Sequence, residues 1–300
     1  MFYFFKSKLS VVSSNGLGEG PHWDEKTKTL YYVDIVESAI HRYVPSSHFY
    51  DCNEFVVGLE RDVVHVVWDL KSNKPTATKV LCSAEEDRGR NRLNDGKVDP
   101  TGRLWAGTML HLGEVDNYPF SSHLYSFDKG SKPKRHLSEI AISNGLAWSP
   151  DHTNFTTSTR LNLKCKHMIM TNPAVPSFTF IFAGNERTVF DFKANNVEGF
   201  PDGMTIDSEG KLWVAVYSGA KVRNITTVDP DTGKLLYTLP IPSWEVTSVV
   251  FGGPNLDELY VTSANQFKNN PKDKYPQPGQ TFKVTNLGVK GTPSVSIKLN

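Results

Sequence analysis

The chain is written in short apolar runs broken by turn residues. The stretch Phe200–Ala215 sets the pattern for the rest. Pro201-Asp202-Gly203 reads as a tight polar turn, and Met204–Asp207 as a short strand. Ser208-Glu209-Gly210 turns the chain again into a second strand over Lys211–Tyr217. Glycine and proline at the turns, with β-branched or aromatic residues between them, are the marks of a hairpin. Asn94–Gly107 repeats this grammar almost residue for residue, and Asn144–Asp151 repeats its first half. Glu19–Asp24 with Thr29–Asp34, and Phe251–Asn255 with Glu258–Thr262, are further copies. Sustained helical periodicity is almost absent.

The repeats predict the architecture. Inner strands are expected to begin at Trp23, Phe55, Val98, Trp148, Ile206 and Phe251, at intervals of 32 to 58 residues. Units of about 40–50 residues, each with several short strands, are the sequence form of β-propeller blades. The expected fold is therefore all-β, a six-bladed β-propeller. Residues 16–300 form one domain, and residues 1–15 a tail or a first strand. The first interval is too short for four strands. The segment 45–53 leaves one strand absent or the blade built differently.

Turns that enter inner strands can converge on a propeller axis. Four residues before each mark stand Glu19, Asp51, Asn94, Asn144, Asp202 and Thr247, and all carry a side-chain oxygen. Oxygen donors from separate blades suit a hard cation such as Ca²⁺ or Mg²⁺. A ring of turn residues tied up in hydrogen bonds reads equally well.

Composition removes other classes. Net charge is +1 and no long basic run is present, which disfavours nucleic acid and membrane surfaces as partners. No apolar run approaches the ~20 residues of a membrane span. Met1–Phe5 is apolar but shorter than a signal-peptide core of ~7–15 residues. Cys52, Cys82 and Cys165 are odd in number and widely spaced, which fits buried thiols in a reducing, cytoplasmic setting, with secretion as the alternative. The nine histidines form no zinc motif, and Ser143-Asn144-Gly145 lacks the surroundings of a nucleophile elbow. Trp23, Trp105, Trp148 and Trp213 recur at inner-strand positions and are read as blade core.

Four segments together resemble one family. Gly18–Trp23, Arg92–Lys97, Ser143–Leu146 and Pro201–Met204 are similar to the signature segments of the senescence marker protein/regucalcin/gluconolactonase family. Val246–Ser263 and Leu287–Gly291 match as well, and the likeness is greatest to its insect luciferin-regenerating enzymes. The resemblance implies a six-bladed propeller with one divalent ion, Ca²⁺ or Zn²⁺, with Mg²⁺ or Mn²⁺ as alternatives. It implies hydrolysis of lactones or related esters by a monomer whose partner is that small molecule. Carried over, the metal ligands are Glu19, Asn144 and Asp202. Arg92 and Asn94 hold the substrate with Asp95 beside them, and Asp202 doubles as general base. For Arg92 the competing reading is a surface ion pair within 85–91. A calcium-binding regulatory propeller with little turnover is the alternative function. Two features motivate it: the short 45–53 segment, and the lack of an acid between Gly107-Thr108-Met109 and Glu114. The stretch 154–176 also departs from the family, with Thr159 where an aspartate is expected.

Overall fold

The computed structural model describes residues 8–45, 54–69, 72, 74–85, 90–111, 121–128, 130, 132–159, 164–171, 181–182, 187–218, 224–266 and 275–298. Among these residues there is no helix, and hence none long and apolar enough to cross a membrane. The chain divides into two compact units, 1–47 with 145–294 and 48–144 with 295–300.

The first unit opens with β1 (Lys8–Ser14), β2 (Gly18–Asp24), β3 (Thr29–Asp34) and β4 (Ala39–Tyr43). The second holds β5 (Glu54–Leu59), β6 (Asp62–Val67), β7 (Ala77–Ser83), β8 (Asn91–Val98), β9 (Leu104–Leu110), β10 (Ser122–Phe127) and β11 (Lys134–Ile140). Strand β12 (Ser143–Trp148) starts in the second unit and runs into the first. There follow β13 (Asn154–Thr159), β14 (Lys164–Thr171), β15 (Ile181–Phe182), β16 (Arg187–Asp191), β17 (Phe200–Ile206) and β18 (Leu212–Tyr217). The chain ends with β19 (Asn224–Asp229), β20 (Lys234–Pro240), β21 (Glu245–Gly252), β22 (Glu258–Ala264) and β23 (Gln280–Thr285).

Neighbouring strands pair as antiparallel meanders. In the second unit the sheets are β5-β6-β7 and β8-β9-β10-β11. In the first, β2-β3-β4 form one sheet, and β12-β13-β14 form another with β15 and β16 on β14. The runs β17 to β20 and β21 to β23 are joined into one eight-stranded sheet by the pair Tyr217–Glu245. Strand β1 completes that sheet by pairing with β23, so the N-terminal segment is a strand over Lys8–Ser14.

The apolar cores lie between consecutive strand groups. Trp213, Ile225 and Leu239 meet Val249, Phe251, Val261 and Phe282. Trp23, Leu30 and Tyr32 meet Val250 and Tyr260, and in the second unit Val63 and Ala84 meet Leu93, Ala106 and Tyr125. Strands covered on both faces need apolar residues at successive positions, and β18 is buried throughout. All four marked tryptophans are buried, as expected of blade core.

One expectation needs correction. The first strands begin several residues before the marks, at Gly18, Asn91, Phe200 and Glu245. Phe55 lies in β5, which belongs to a sheet of three described strands. Asp51 lies outside the described residues. The divergent stretch 154–176 still forms strands where described. β13 and β14 pair without a shift from Asn154–Ile169 to Thr159–Lys164, because backbone pairing tolerates weak side-chain alternation.

Candidate functional site

The candidate side chains stand where the first strand of a group loses its regular register. In β2, Glu19 pairs with Val33, and the ladder shifts before His22 meets Tyr31. In β17, Pro201 pairs with Val216, and the ladder shifts before Met204 meets Val214. In β21 the shift falls between Val246 and Ser248. In β8 it falls between Leu93 and Gly96. Asp202, Thr247 and the pair Asn94-Asp95 therefore sit in β-bulges, and Glu19 is the last paired residue before one; bulges bend a strand and re-aim its side chains. The turn read at Pro201-Asp202-Gly203 is not formed. Asp-Gly suits a bulge as well as a turn, and here both flanks find partners on β18.

In the first unit, the first strands β17, β21 and β2 are neighbours in that order, and β17 also contacts β13, the second strand of its group. Small residues let them approach. A Cβ on Gly203 would stand 2.0 Å from the Ser248 hydroxyl, and one on Gly145 would stand 2.6 Å from the Asp202 carbonyl oxygen. Ser158 Oγ donates to that same carbonyl at 2.9 Å. On the other side, Thr247 Oγ1 donates to the Gly18 carbonyl at 2.5 Å. The backbone of Asp202 is thus gripped from two strands, and the residue is only 4 % exposed. Glu19 is half-buried one residue beyond Gly18. Sequence reading did not single out Ser158. Its signal is the run Thr156–Thr159, four consecutive hydroxyl-bearing residues that are all buried.

The second unit carries an amide network. Asn94 Nδ2 donates to Asn144 Oδ1 at 2.6 Å and to the Ser143 carbonyl at 3.0 Å. Asn94 Oδ1 accepts from the Arg92 guanidinium at 3.3 Å, and the same nitrogen donates to the Leu93 carbonyl at 2.8 Å. These contacts fix which end of the Asn94 amide is oxygen. Asn144 is buried, while Arg92, Asn94 and Asp95 are half-buried. Arg92 thus bonds to its own strand and to Asn94, while Glu86 and Asp87, the acids of the competing ion-pair reading, lie outside the described residues. Burial lowers the Lys97 ammonium pKa to about 8, against the opposing pull of the Asp95 carboxylate.

The donor set can be tested against a cation. Among the described residues no three His, Cys, Asp or Glu gather into a metal cluster. The candidate set is of another kind: the carboxylates of Glu19 and Asp202, and the amide oxygen of Asn144. All are hard oxygens, and a carboxylate as buried as Asp202 gains most from a compensating positive charge. The residue types fit a hard divalent ion. Glu19 and Asp202 stand in the first unit, and Asn144 ends the second.

Comparison with known proteins agrees with the bulge motifs. Residues 17–265 match the model of the SMP-30/Gluconolactonase/LRE-like region. The chain belongs to this family. A Xenopus laevis relative, regucalcin, is 35 % identical over 305 residues, covering 95 % of this chain and 96 % of its own. A solved luciferin-regenerating enzyme superposes with a TM-score of 0.88 at 39 % identity, over 98 % of this chain and 100 % of that one. A calcium-binding protein, regucalcin, from Agrobacterium tumefaciens superposes at 0.76 with 21 % identity, over 96 % and 97 %. The β-propeller domain of Cps50 (Swd1) from Myceliophteria thermophila does so at 0.51 with 11 % identity, over 89 % and 83 %. The last two likenesses concern the fold alone. The family member is thus all-β and propeller-like.

Proposed function

We propose that this family member hydrolyses lactones or related esters, using one divalent ion held by Glu19, Asn144 and Asp202 in a single six-bladed propeller. Ca²⁺ and Zn²⁺ are the favoured ions. The observation that carries the reading is Asp202: a buried carboxylate in a β-bulge, its backbone clamped by Ser158 and by the close approach of Gly145. Such a clamp is costly to build for a residue that only turns the chain.

When bound, the ion polarises the substrate carbonyl and stabilises the negative charge that develops on its oxygen. The Asp202 carboxylate takes the proton from the attacking water as general base. Asn94 orients the Asn144 amide through the 2.6 Å hydrogen bond, so that the second lone pair of Oδ1 remains for the ion. Arg92 offers its planar fork to polar groups of the substrate, with Asp95 beside it.

The test is a panel of sugar, aliphatic and aromatic lactones, assayed by proton release with metal and with excess chelator. Hydrolysis that chelator abolishes and added Ca²⁺ or Zn²⁺ restores is the expected result. Metal-loaded protein that hydrolyses none of the panel above buffer would overturn the enzyme reading.

A second reading has its own support. The end of β13 offers neutral hydroxyls, including buried Thr159, where the family resemblance leads one to expect an acid. Fewer charges weaken a cation site, and the resulting protein would bind calcium reversibly with little turnover. The same panel, with calorimetric titration of Ca²⁺, separates the two: binding without hydrolysis selects the second.

A further inference from the structure

Beside the substrate arm lies a buried polar cluster that the proposed reaction does not use. His123 Nδ1, at the start of β10, is 2.8 Å from Glu85 Oε1. Both residues are 3 % exposed. Thr108 Oγ1, in β9, donates to the same carboxylate oxygen at 2.7 Å and accepts from the His123 backbone N–H at 2.9 Å. The other oxygen, Glu85 Oε2, is buried with no hydrogen-bond partner among the described residues. Glu85 also has a left-handed backbone, φ 55°, and its carbonyl accepts from the Arg61 guanidinium at 3.3 Å.

This arrangement is expensive. A half-satisfied buried carboxylate and a left-handed non-glycine residue each cost free energy that an apolar core would not. Its position suggests what the expense is for. Thr108 pairs with Leu93, and the next pair along the ladder is Met109 with Arg92. Leu124, next to His123, pairs with Gly107. The cluster therefore spans β9 and β10 one residue from the ladder position of Arg92. Nearby bonds tie the same end of the sheet. The Asn91 side chain donates to the Ser121 carbonyl at 3.0 Å, and His111 N–H donates to the Arg90 carbonyl at 2.9 Å.

We propose that Glu85 and His123 are positioning residues: through Thr108 they fix the end of β8–β9 from which Arg92 reaches substrate. The inference rests on the reading of Arg92 as a substrate contact. Neither residue touches the substrate itself, being buried behind the strand.

The experiment compares His123→Leu, His123→Asn and Glu85→Gln with wild type. An asparagine amide can place a donor where His123 Nδ1 stands, so His123→Asn keeps the bond to Glu85 and His123→Leu breaks it. For a lactone turned over by wild type, His123→Leu and Glu85→Gln should raise KM about tenfold with kcat little changed, the signature of a weakened substrate-binding contact. Metal affinity should stay unchanged, and His123→Asn should restore KM. A second readout needs no turnover: the rate at which phenylglyoxal modifies Arg92, followed by peptide mass spectrometry. It should change in His123→Leu and return toward wild type in His123→Asn. If wild type hydrolyses no lactone, the proposed function fails, yet the labelling still decides whether the pair positions Arg92. Lowered melting temperatures with unaltered KM and unaltered labelling would make the cluster merely structural and overturn the proposal.

Discussion

The hairpins β8–β9 and β17–β18 are near copies, and their difference is instructive. Each begins with a bulge, Asn94-Asp95 in one and Asp202-Gly203 in the other. Each then turns at an aspartate whose carboxylate organises the hairpin. Asp99 accepts from the Thr101 and Arg103 backbone N–H groups, and from Trp105 Nε1 at 2.8 Å. Asp207 accepts from the Glu209 and Lys211 backbone N–H groups, and from Trp213 Nε1 at 2.9 Å. Gly102 and Gly210 occupy the matching left-handed position, φ 94° and 79°. The lower half of each hairpin is thus a repeated structural device. The bulge is where the copies diverge: a half-buried amide joined to Asn144 in one, a buried carboxylate in the other. A repeat that must fold alike can still differ at its bulge, because bulge residues do not take part in the regular ladder.

The largest expected effect breaks the comparison at the bulge. Asp202→Asn makes the β17 bulge chemically like that of β8, keeping shape and one oxygen while losing charge and basicity. Turnover of any lactone hydrolysed by wild type should fall ~10²–10⁴-fold, and calorimetry should show weaker metal binding. A variant with wild-type turnover would remove Asp202 from the mechanism.

Next come the two turn aspartates, which sharpen the likeness. Asp99→Ala and Asp207→Ala each strand a buried indole N–H and backbone amides, at a cost of about 1–3 kcal/mol. Denaturant unfolding should show similar losses for both. A loss in one and not the other would mean that the hairpins are not equivalent devices.

Asn94→Ala should act more gently. It removes the donor that orients Asn144, a hydrogen bond worth about 0.5–1.5 kcal/mol net. Metal affinity should weaken by roughly 2- to 13-fold, the same energy expressed as a ratio, alongside impaired substrate binding. Sequence alone assigns Asn94 to substrate and leaves the ion untouched; the bond to Asn144 couples the two. Unchanged metal affinity by calorimetry would remove that coupling.

The last effect concerns what each tryptophan packs against. Trp105 stacks on His136 at 4.4 Å, whereas Trp213 packs edge-on against Phe251 at 5.4 Å. Burial, with help from Lys134 and Arg103, lowers the His136 pKa to about 4 from 6.5. Between those values the unfolded chain binds the proton and the folded chain does not. Stability should therefore fall as pH drops from about 6.5 toward 4. His136→Phe should flatten that part of the profile, and an unaltered profile would show that other groups dominate.

Much of this protein was legible in its sequence. Strand-length apolar runs between glycine and acidic turns fixed an all-β chain of repeated hairpins, because backbone pairing and burial on both faces demand that pattern. The Asp-x-x-Gly-x-Leu-Trp segments announced two equivalent turns, since their bonds are local. The four signature segments announced the family. What sequence could not decide depended on partners far along the chain. Whether Asp-Gly made a turn or a bulge was settled by where β18 placed its partners. Whether Gly203 was needed for its backbone or for its bareness was settled by Ser248 on β21. Whether Asn94 served alone was settled by Asn144, fifty positions away. The Glu85–His123 pair, joined across thirty-eight positions, left no motif at all. Local hydrogen bonds and periodicity are written in adjacent residues; contacts between strands exist only once the sheets have packed.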